Sequence, residues 1–579
     1  MSLVNLTING DVIQAQTTQT LLDVVKTLDV YIPTLCYFEL PGSNSPNNCA
    51  SCRVCMVETE KGLVPACATR VYEGMKVDTH SIKAIKARRD VVELILSNHP
   101  MECLTCEKNL NCELQQLAAN LSISEIEYEG QKTNFGIDKS SKSIVKNLDK
   151  CILCRRCETM CNEVQTVGVL SGVNRGFETV VGTFFDEPMH KTNCTFCGQC
   201  VAVCPTAALT EVNNISKVWS MLYKKEHPVV VQVAPAVRVA IGEEFDNDPG
   251  TITTGKLVTA LRKIGFDYIF DTNFAADLTI MEEASEFIHR LEHGGKMPML
   301  TSCCPAWVNF FENYFDDMLD IPSSCKSPQQ MFGSIAKNYF APKIGIEPKD
   351  IKVVAVMPCV AKKYEASRSE LGHQHIYDVD TVITTRELAK MIKEAGIKFD
   401  DLEESDFDNP LGESTGAGTI FGGSGGVAEA ALRTAYEWIT KENLDKVDFK
   451  ELRGLKGIKE ATININGMDI NVAISSGLGN ARKILEEIRA GKSKYHLIEI
   501  MACPGGCING GGQPYNHGDM DIVQKRYDAI YNIDSDKKIR KSHENPYIKQ
   551  IYDEFLGAPY SEKAHEYLHT EYFPRIKKD

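Results

Sequence analysis

Residues 151–161 read CILCRRCETMC, and residues 194–205 read CTFCGQCVAVCP. Each run spaces three cysteines two residues apart and adds a fourth after three more, and proline follows the second run. A chain spaced this way wraps two 4Fe-4S clusters, the fourth cysteine of each run crossing to the other cluster. The pattern assigns Cys151, Cys154, Cys157 and Cys204 to one cluster and Cys194, Cys197, Cys200 and Cys161 to the other. Structural zinc usually shows paired CxxC knuckles instead, so zinc is the poorer reading. The two runs form an internal repeat at the centre of a two-cluster ferredoxin-like domain over 141–215.

Immediately upstream lies His99-x3-Cys103-x2-Cys106-x5-Cys112. A lone histidine at a helix end is usually a cap or a surface residue, but its position among cluster motifs favours a fourth ligand for one more 4Fe-4S cluster. The apolar positions Ile85, Val91, Val92, Leu94 and Ile95 predict a helix over 81–98, ending at His99-Pro100. This module occupies 81–128, and a polar linker or surface loop, 130–143, follows it.

Residues 1–80 alternate short strand-like runs (LVNLTI, CMVETE, GLVPAC) with turns and one amphipathic helix, TLLDVVKTL, which suits a β-grasp domain. Cys36, Cys49, Cys52, Cys55 and Cys67 offer five thiols where a 2Fe-2S cluster needs four. Beyond about residue 220, runs such as VVVQVA, YIFD, VVAVMP, NVAISSG and LIEIMAC alternate with helical patterns at 279–293 and 427–440, predicting a large α/β domain over 220–579. The fold class is therefore multidomain, α+β followed by α/β.

A chain of 579 residues exceeds one core. Its net charge of -15, spread along the sequence, disfavours nucleic acid and anionic membrane as partners. No apolar run approaches a membrane span, and the start MSLVNLTINGD lacks the features of an export signal, so a cytoplasmic location is expected. The 22 cysteines cluster inside a large chain, which favours metal ligation over disulfides.

Three downstream segments carry the remaining chemistry: Thr301-Ser-Cys-Cys-Pro-Ala-Trp307, Met357-Pro-Cys-Val-Ala-Lys362, and Met501-Ala-Cys-Pro-Gly-Gly-Cys507 with Asn509-Gly-Gly-Gly-Gln-Pro514. They resemble the three signatures of the iron-only (FeFe) hydrogenase H-cluster domain, and with the accessory motifs the resemblance covers almost the whole chain. It implies that Cys304, Cys359, Cys503 and Cys507 hold a 4Fe-4S cluster, Cys507 also bridging to a diiron subsite with carbon monoxide, cyanide and a dithiolate. Cys303 then becomes the proton donor and acceptor beside the dithiolate amine, and Glu283, Ser323 and Glu286 continue the proton path. Glu283 and Glu286 share a helical face. Without the downstream motif, MEEASE would read as a solvated acidic face.

By the same resemblance Lys362 pairs with a cyanide, and Pro235, Ala236, Gln329, Met357, Phe421 and Met501 line the diiron pocket. Ala236 stands where many members have a serine, and Cys325, before Lys326, where many have alanine; losing one donor to a cyanide should shift redox balance rather than abolish activity. The run Cys52-Arg-Val-Cys55-Met-Val-Glu resembles the 2Fe-2S loop of hydrogenases and of the large iron-sulfur subunit of complex I. That selects Cys36, Cys52, Cys55 and Cys67 with Cys49 free; the fifteen residues between Cys36 and Cys52 keep 36/49/52/67 as the alternative.

The glycine-rich stretch 416–426 follows no apolar strand and reads as a backbone-close loop near the H-cluster, not a dinucleotide loop. The implied cofactors are one 2Fe-2S cluster, three accessory 4Fe-4S clusters and one 4Fe-4S cluster joined to the diiron subsite. The implied reaction is reversible oxidation of hydrogen to protons and electrons. Ala236, Cys325 and Pro504 resemble the multisubunit branch, implying a hetero-oligomer with NAD(P)-binding flavoprotein subunits, ferredoxin or both. A single-chain ferredoxin-dependent enzyme is the rival. A relay-only subunit is countered by the three C-terminal signatures, and an iron-sulfur assembly protein by the intact Cys303, Lys362 and Glu283/Glu286 set.

Overall fold

The structure, a computed structural model, describes residues 2–43, 46–47 and 50–575; Cys49 lies outside the described residues. Strands β1 (Leu3–Ile8), β2 (Asp11–Gln16), β3 (Met56–Thr59), β4 (Gly62–Pro65) and β5 (Lys76–Asp78) form one sheet in the order β2-β1-β5-β3-β4. β1 runs parallel to β5 and antiparallel to β2, the mixed pairing of a β-grasp. Helix α1 (Leu21–Val25) buries Leu21, Leu22, Val24 and Val25 in the core that also takes Leu6 and Ile8. It starts at a capping box: Thr20 Oγ1 accepts from Asp23 N and Asp23 Oδ2 from Thr20 N.

Helix α2 (Ile82–Asn98) is capped by the Ser81 hydroxyl and gives way at His99, whose extended backbone suits a residue before proline. The next 130 residues contain a small sheet of Ile137–Asp138, Ile144–Asn147 and Leu209–Glu211 and two short helices, Arg156–Thr159 and Gln199–Val203. Two residues of the polar stretch 130–143, Ile137 and Asp138, thus pair into a strand, and the rest is irregular. The Asp138 carboxylate fixes it by accepting from Ser140 N at 2.9 Å and Met189 N at 2.8 Å.

Two four-stranded sheets organise the remainder. The first is wholly parallel, in the order Tyr268–Asp271, Val229–Val233, Lys352–Met357, Thr381–Thr384. Its strands are valine- and isoleucine-rich because both faces are buried. The second orders Met299–Leu300, Leu497–Met501, Met468–Ser476 and Ile458–Ile465, with only the last strand antiparallel. The helix read at 279–293 starts earlier and spans Thr272–His293, because the Asp271 carboxylate caps it by accepting from Asn273 N at 3.0 Å. The stretch 416–426 also departs from expectation: its first residues form a helix, Gly416–Ile420, capped by Thr415. Its glycines serve close packing, since a Cβ on Gly418 would lie 2.4 Å from Asn273 O. Near the end of the chain, Lys326 N donates to Leu568 O and Thr570 N to Ser324 O, both at 2.8 Å, so residues 568–570 run antiparallel beside 324–326. Among the described residues no helix is long and apolar enough to cross a membrane.

A cysteine-lined pocket at the strand ends

The carboxyl ends of strands from both sheets converge on one pocket, the place where open α/β sheets put ligands. Met357-Pro358-Cys359 leaves the first sheet; Met501-Ala502-Cys503 and Thr301-Ser302-Cys303-Cys304 leave the second. Cys303, Cys304, Cys359, Cys503 and Cys507 all line the pocket. So do Pro235, Ala236, Gln329, Met357, Phe421 and Met501, together with Lys362. The Cys503–Cys507 turn bends under the glycine loop because Gly506 has φ +104°, and a Cβ there would meet Ser424 N at 2.6 Å.

Burial pushes the Cys507 thiol up to about 12, and it raises Cys304, Cys359 and Cys503 as well; Cys503 is raised further by Cys359, Cys304 and Cys507. Thiols desolvated in one another's field form a soft donor set suited to an iron-sulfur cluster. Lys362 Nζ donates to Ser327 Oγ at 2.7 Å, Glu365 Oε2 at 2.9 Å and Cys303 O at 3.1 Å. Gln329 Nε2 donates to the same Glu365 oxygen at 2.9 Å, while buried Gln329 Oε1 has no hydrogen-bond partner. An orphaned polar atom on a pocket wall fits a site that a bound group completes.

The MEEASE segment is not a solvated face: Glu282, Glu283 and Glu286 are all buried. Burial, then the charge of Glu286, raises the Glu283 carboxyl to about 8. Its Oε1 accepts from Ser302 N at 3.4 Å, and Oε2 has no partner. Ser323 Oγ donates to Glu286 Oε2 at 2.8 Å, and Arg290 holds Glu286 Oε1. The structure therefore joins Ser323 to Glu286 directly, and puts Glu283 beside Ser302 and within the field of Cys303.

The two-cluster domain packs against this pocket. Beyond burial, Cys157 is raised by Cys154, Cys204, Cys151 and Cys200, and Cys200 by Cys197, Cys194, Cys161 and Cys204, so the eight-cysteine repeat gathers its sulfurs closely. Cys197 also feels Cys304. Gln165 Nε2 donates to Ala502 O at 3.0 Å and Asn309 Nδ2 to Cys194 O at 3.0 Å, which pins the two domains together. Farther out, the free thiols of Cys36 and Cys52, Cys36 and Cys67, and Cys67 and Cys55 are hydrogen-bonded to one another, bringing all four together. His99 is lowered to about 4 by burial and by Lys150, and its buried Nδ1 has no hydrogen-bond partner, which suits a neutral metal-ligating imidazole. Lys150 Nζ lies 3.4 Å from Cys106 Sγ, and Cys112 feels Cys106, while Cys103 begins the turn Cys103–Thr105 between them and His99.

Sequence reasoning missed Glu365, Ser327 and Arg290. Glu365 follows Lys362 by three on one helix and Arg290 follows Glu286 by four, spacings that mark such pairs. Ser327 carries no comparable signal.

Comparison with known proteins agrees along the chain. Residues 227–511 match the iron only hydrogenase large subunit, C-terminal domain, and 520–575 the iron hydrogenase small subunit. Residues 2–81 match a 2Fe-2S iron-sulfur cluster binding domain, 88–127 the NADH-ubiquinone oxidoreductase-G iron-sulfur binding region, and 150–208 a 4Fe-4S dicluster domain. The NADP-reducing hydrogenase subunit HndD of Solidesulfovibrio fructosivorans is 54% identical over 99% of this chain and 100% of its own length. Iron hydrogenase 1 of Clostridium pasteurianum is 41% identical over 98% of this chain and 99% of its own length. A solved variant of the FeFe-hydrogenase HydA1 of Chlamydomonas reinhardtii, 43% identical, superposes with a TM-score of 0.57 over 63% of this chain and 99% of that one. With the cysteine-lined pocket at its strand ends and the iron-sulfur domains ahead of it, the chain belongs to the iron-only (FeFe) hydrogenase family, in the form that carries accessory iron-sulfur domains.

Proposed function

We propose that this hydrogenase catalyses the reversible oxidation of molecular hydrogen to two protons and two electrons, as the hydrogen-activating subunit of a cytoplasmic NAD(P)- or ferredoxin-linked complex. The observation that carries the reading is the convergence of Cys304, Cys359, Cys503 and Cys507 with Cys303 and Lys362 in one buried pocket abutting the two-cluster domain. The four cysteines would hold a 4Fe-4S cluster, with Cys507 bridging to a diiron subsite that carries carbon monoxide, cyanide and a dithiolate. That group, when bound, would supply the iron chemistry that splits hydrogen.

The chain's own residues handle the proton and shape the site. The Cys303 thiol, raised by burial and by Glu283, stays protonated near neutral pH and can return a proton as well as accept one. Glu283, poised at about 8, takes the proton next, and Ser323 passes it to Glu286. Lys362, locked by Glu365 and Ser327, fixes a positive charge against the pocket, while Pro235, Ala236, Met357, Phe421 and Met501 exclude water.

Cys194, Cys197, Cys200 and Cys161 would hold the accessory cluster next to the pocket, and Cys151, Cys154, Cys157 and Cys204 the next. His99, Cys103, Cys106 and Cys112 would hold the third 4Fe-4S cluster, and Cys36, Cys52, Cys55 and Cys67 the 2Fe-2S cluster. The name of its relative, an NADP-reducing hydrogenase subunit, supports a multisubunit NADP-linked complex, in which a flavoprotein subunit would supply the nicotinamide site. Infrared spectroscopy on matured protein should show carbonyl and cyanide bands; their absence sinks the proposal. Co-purification should recover flavin-containing subunits, and full NAD(P)H-linked rates from this chain alone would refute the complex.

A further inference from the structure

The relay from Glu283 through Ser323 to Glu286 has an unassigned outer side. Arg290 holds Glu286 Oε1, but a guanidinium keeps its proton and cannot pass one on. The other oxygen, Oε2, meets a second hydroxyl: Ser324 Oγ lies 3.3 Å away and Ser324 N donates to it at 3.1 Å. Ser324 Oγ in turn lies 2.8 Å from His569 Nδ1. The far ring nitrogen, Nε2, is 3.0 Å from Glu282 Oε2. Glu282 is fully buried and also accepts from Tyr552 OH and Tyr560 N. The antiparallel pairing of 568–570 with 324–326 fixes the imidazole in this register.

We propose that His569 is the outer proton-exchange group of this hydrogenase, receiving and returning the Glu286 proton through the Ser324 hydroxyl while Glu282 holds its ring. The inference rests on the reading of Glu283, Ser323 and Glu286 as the proton relay. His569 acts through Ser324 and Glu286 and is a positioning residue whose ring also carries the proton.

In the outward direction the Glu286 carboxylic acid gives its proton to Ser324 Oγ as that hydroxyl gives its own to His569 Nδ1. Glu286 is left a carboxylate and the ring an imidazolium, its Nε2–H directed at the Glu282 carboxylate. The imidazolium then gives its Nδ1 proton to water entering from the side where His565 is exposed, the two rings lying 4.1 Å apart, which leaves the Nε2–H tautomer held by Glu282 and ready for the next proton. The reverse order brings a proton in. The titratable and charged groups around the ring are Glu282, Glu286 and Arg290 from the long helix, Cys325 from the paired segment, and Tyr552, Tyr560 and His565 from the C-terminal region. A purely structural role would need the two hydrogen bonds and no basic nitrogen. An imidazole with an acceptor toward Ser324 and a donor toward a buried carboxylate is the arrangement that general acid-base transfer uses.

The test is His569→Gln in the matured holoenzyme, since an amide keeps both hydrogen bonds but carries no proton near neutral pH. Hydrogen evolution from a reduced dye should fall about tenfold or more at unchanged KM for the dye. The solvent isotope effect should rise, and free imidazole should restore part of the rate. Cluster EPR and carbonyl and cyanide infrared bands should match the parent. Glu282→Gln, which removes the anion facing the imidazolium, should move the alkaline limb of the pH profile to lower pH. Parental rates and pH profile in His569→Gln overturn the proposal, as does a loss that imidazole does not rescue. If His569→Gln fails to assemble, an unmoved limb in Glu282→Gln overturns it instead. Glu286→Gln assayed alongside separates the two readings. An inactive Glu286→Gln with a fully active His569→Gln retires His569 alone, whereas a fully active Glu286→Gln retires the relay.

Discussion

Glu283 titrates where few carboxylates do, and this has a consequence for stability. Its carboxyl is raised from 4.5 to about 8, by burial first and by Glu286 next. Between those values the folded chain keeps the proton that the unfolded chain has lost, so stability falls as pH rises through the window, by about 1.4 kcal/mol per unit. Glu283→Gln should therefore denature at a higher midpoint than the parent at pH 8 and at nearly the same midpoint at pH 4, while losing proton transfer. Lys362 poses the opposite case, a buried cation with its own carboxylate. Lys362→Met should lower the unfolding midpoint by an amount equivalent to ~3–5 kcal/mol, because Glu365 is left as an uncompensated buried charge. Adding Glu365→Gln should recover part of that loss. Cys303, Lys362 and the four pocket cysteines could be singled out in the sequence because the three segments that carry them resemble the family's signatures. The contact between Glu282 and His569 was not, since the two lie 287 residues apart and only the folded chain joins them.

Among the elements, the strands of the large domain read plainly because burial on both faces makes them continuous apolar runs. Helix starts were less visible. The segment 272–278 lacks the polar side of an amphipathic pattern because Thr272–Asp277 is buried all round, so only the Asp271 cap announces the helix. The contact between the two-cluster domain and the pocket domain is a backbone approach that no propensity describes. A Cβ on Gly511 would lie 2.7 Å from Gly198 O. Gly511→Ala should then cost about 1–3 kcal/mol through overpacking. It should also slow reduction of the accessory clusters by hydrogen in stopped-flow measurements, with the infrared bands unchanged.

For the whole molecule, the solved HydA1 relative matches 63% of this chain and 99% of itself, and the iron-only hydrogenase domain match begins only at residue 227. Deleting residues 1–128 should leave hydrogen evolution from a reduced dye largely intact while abolishing electron exchange with the native partner, a split that paired assays would read directly. Equal loss in both assays would contradict the division of labour. The multidomain plan was open to sequence reading because each domain carries its own cysteine spacing, whereas the way the domains seat on one another depends on contacts such as Gln165 with Ala502. The helix Gln199–Val203 adds a further constraint. It carries Cys200, proposed for one cluster, and Cys204, proposed for the other, follows immediately at its end. Under that assignment neither cubane would be loaded onto a finished half-site while its neighbour waits. The two would mature as one all-or-none event, and a cell short of iron would accumulate empty or full copies of this domain with few half-built ones between.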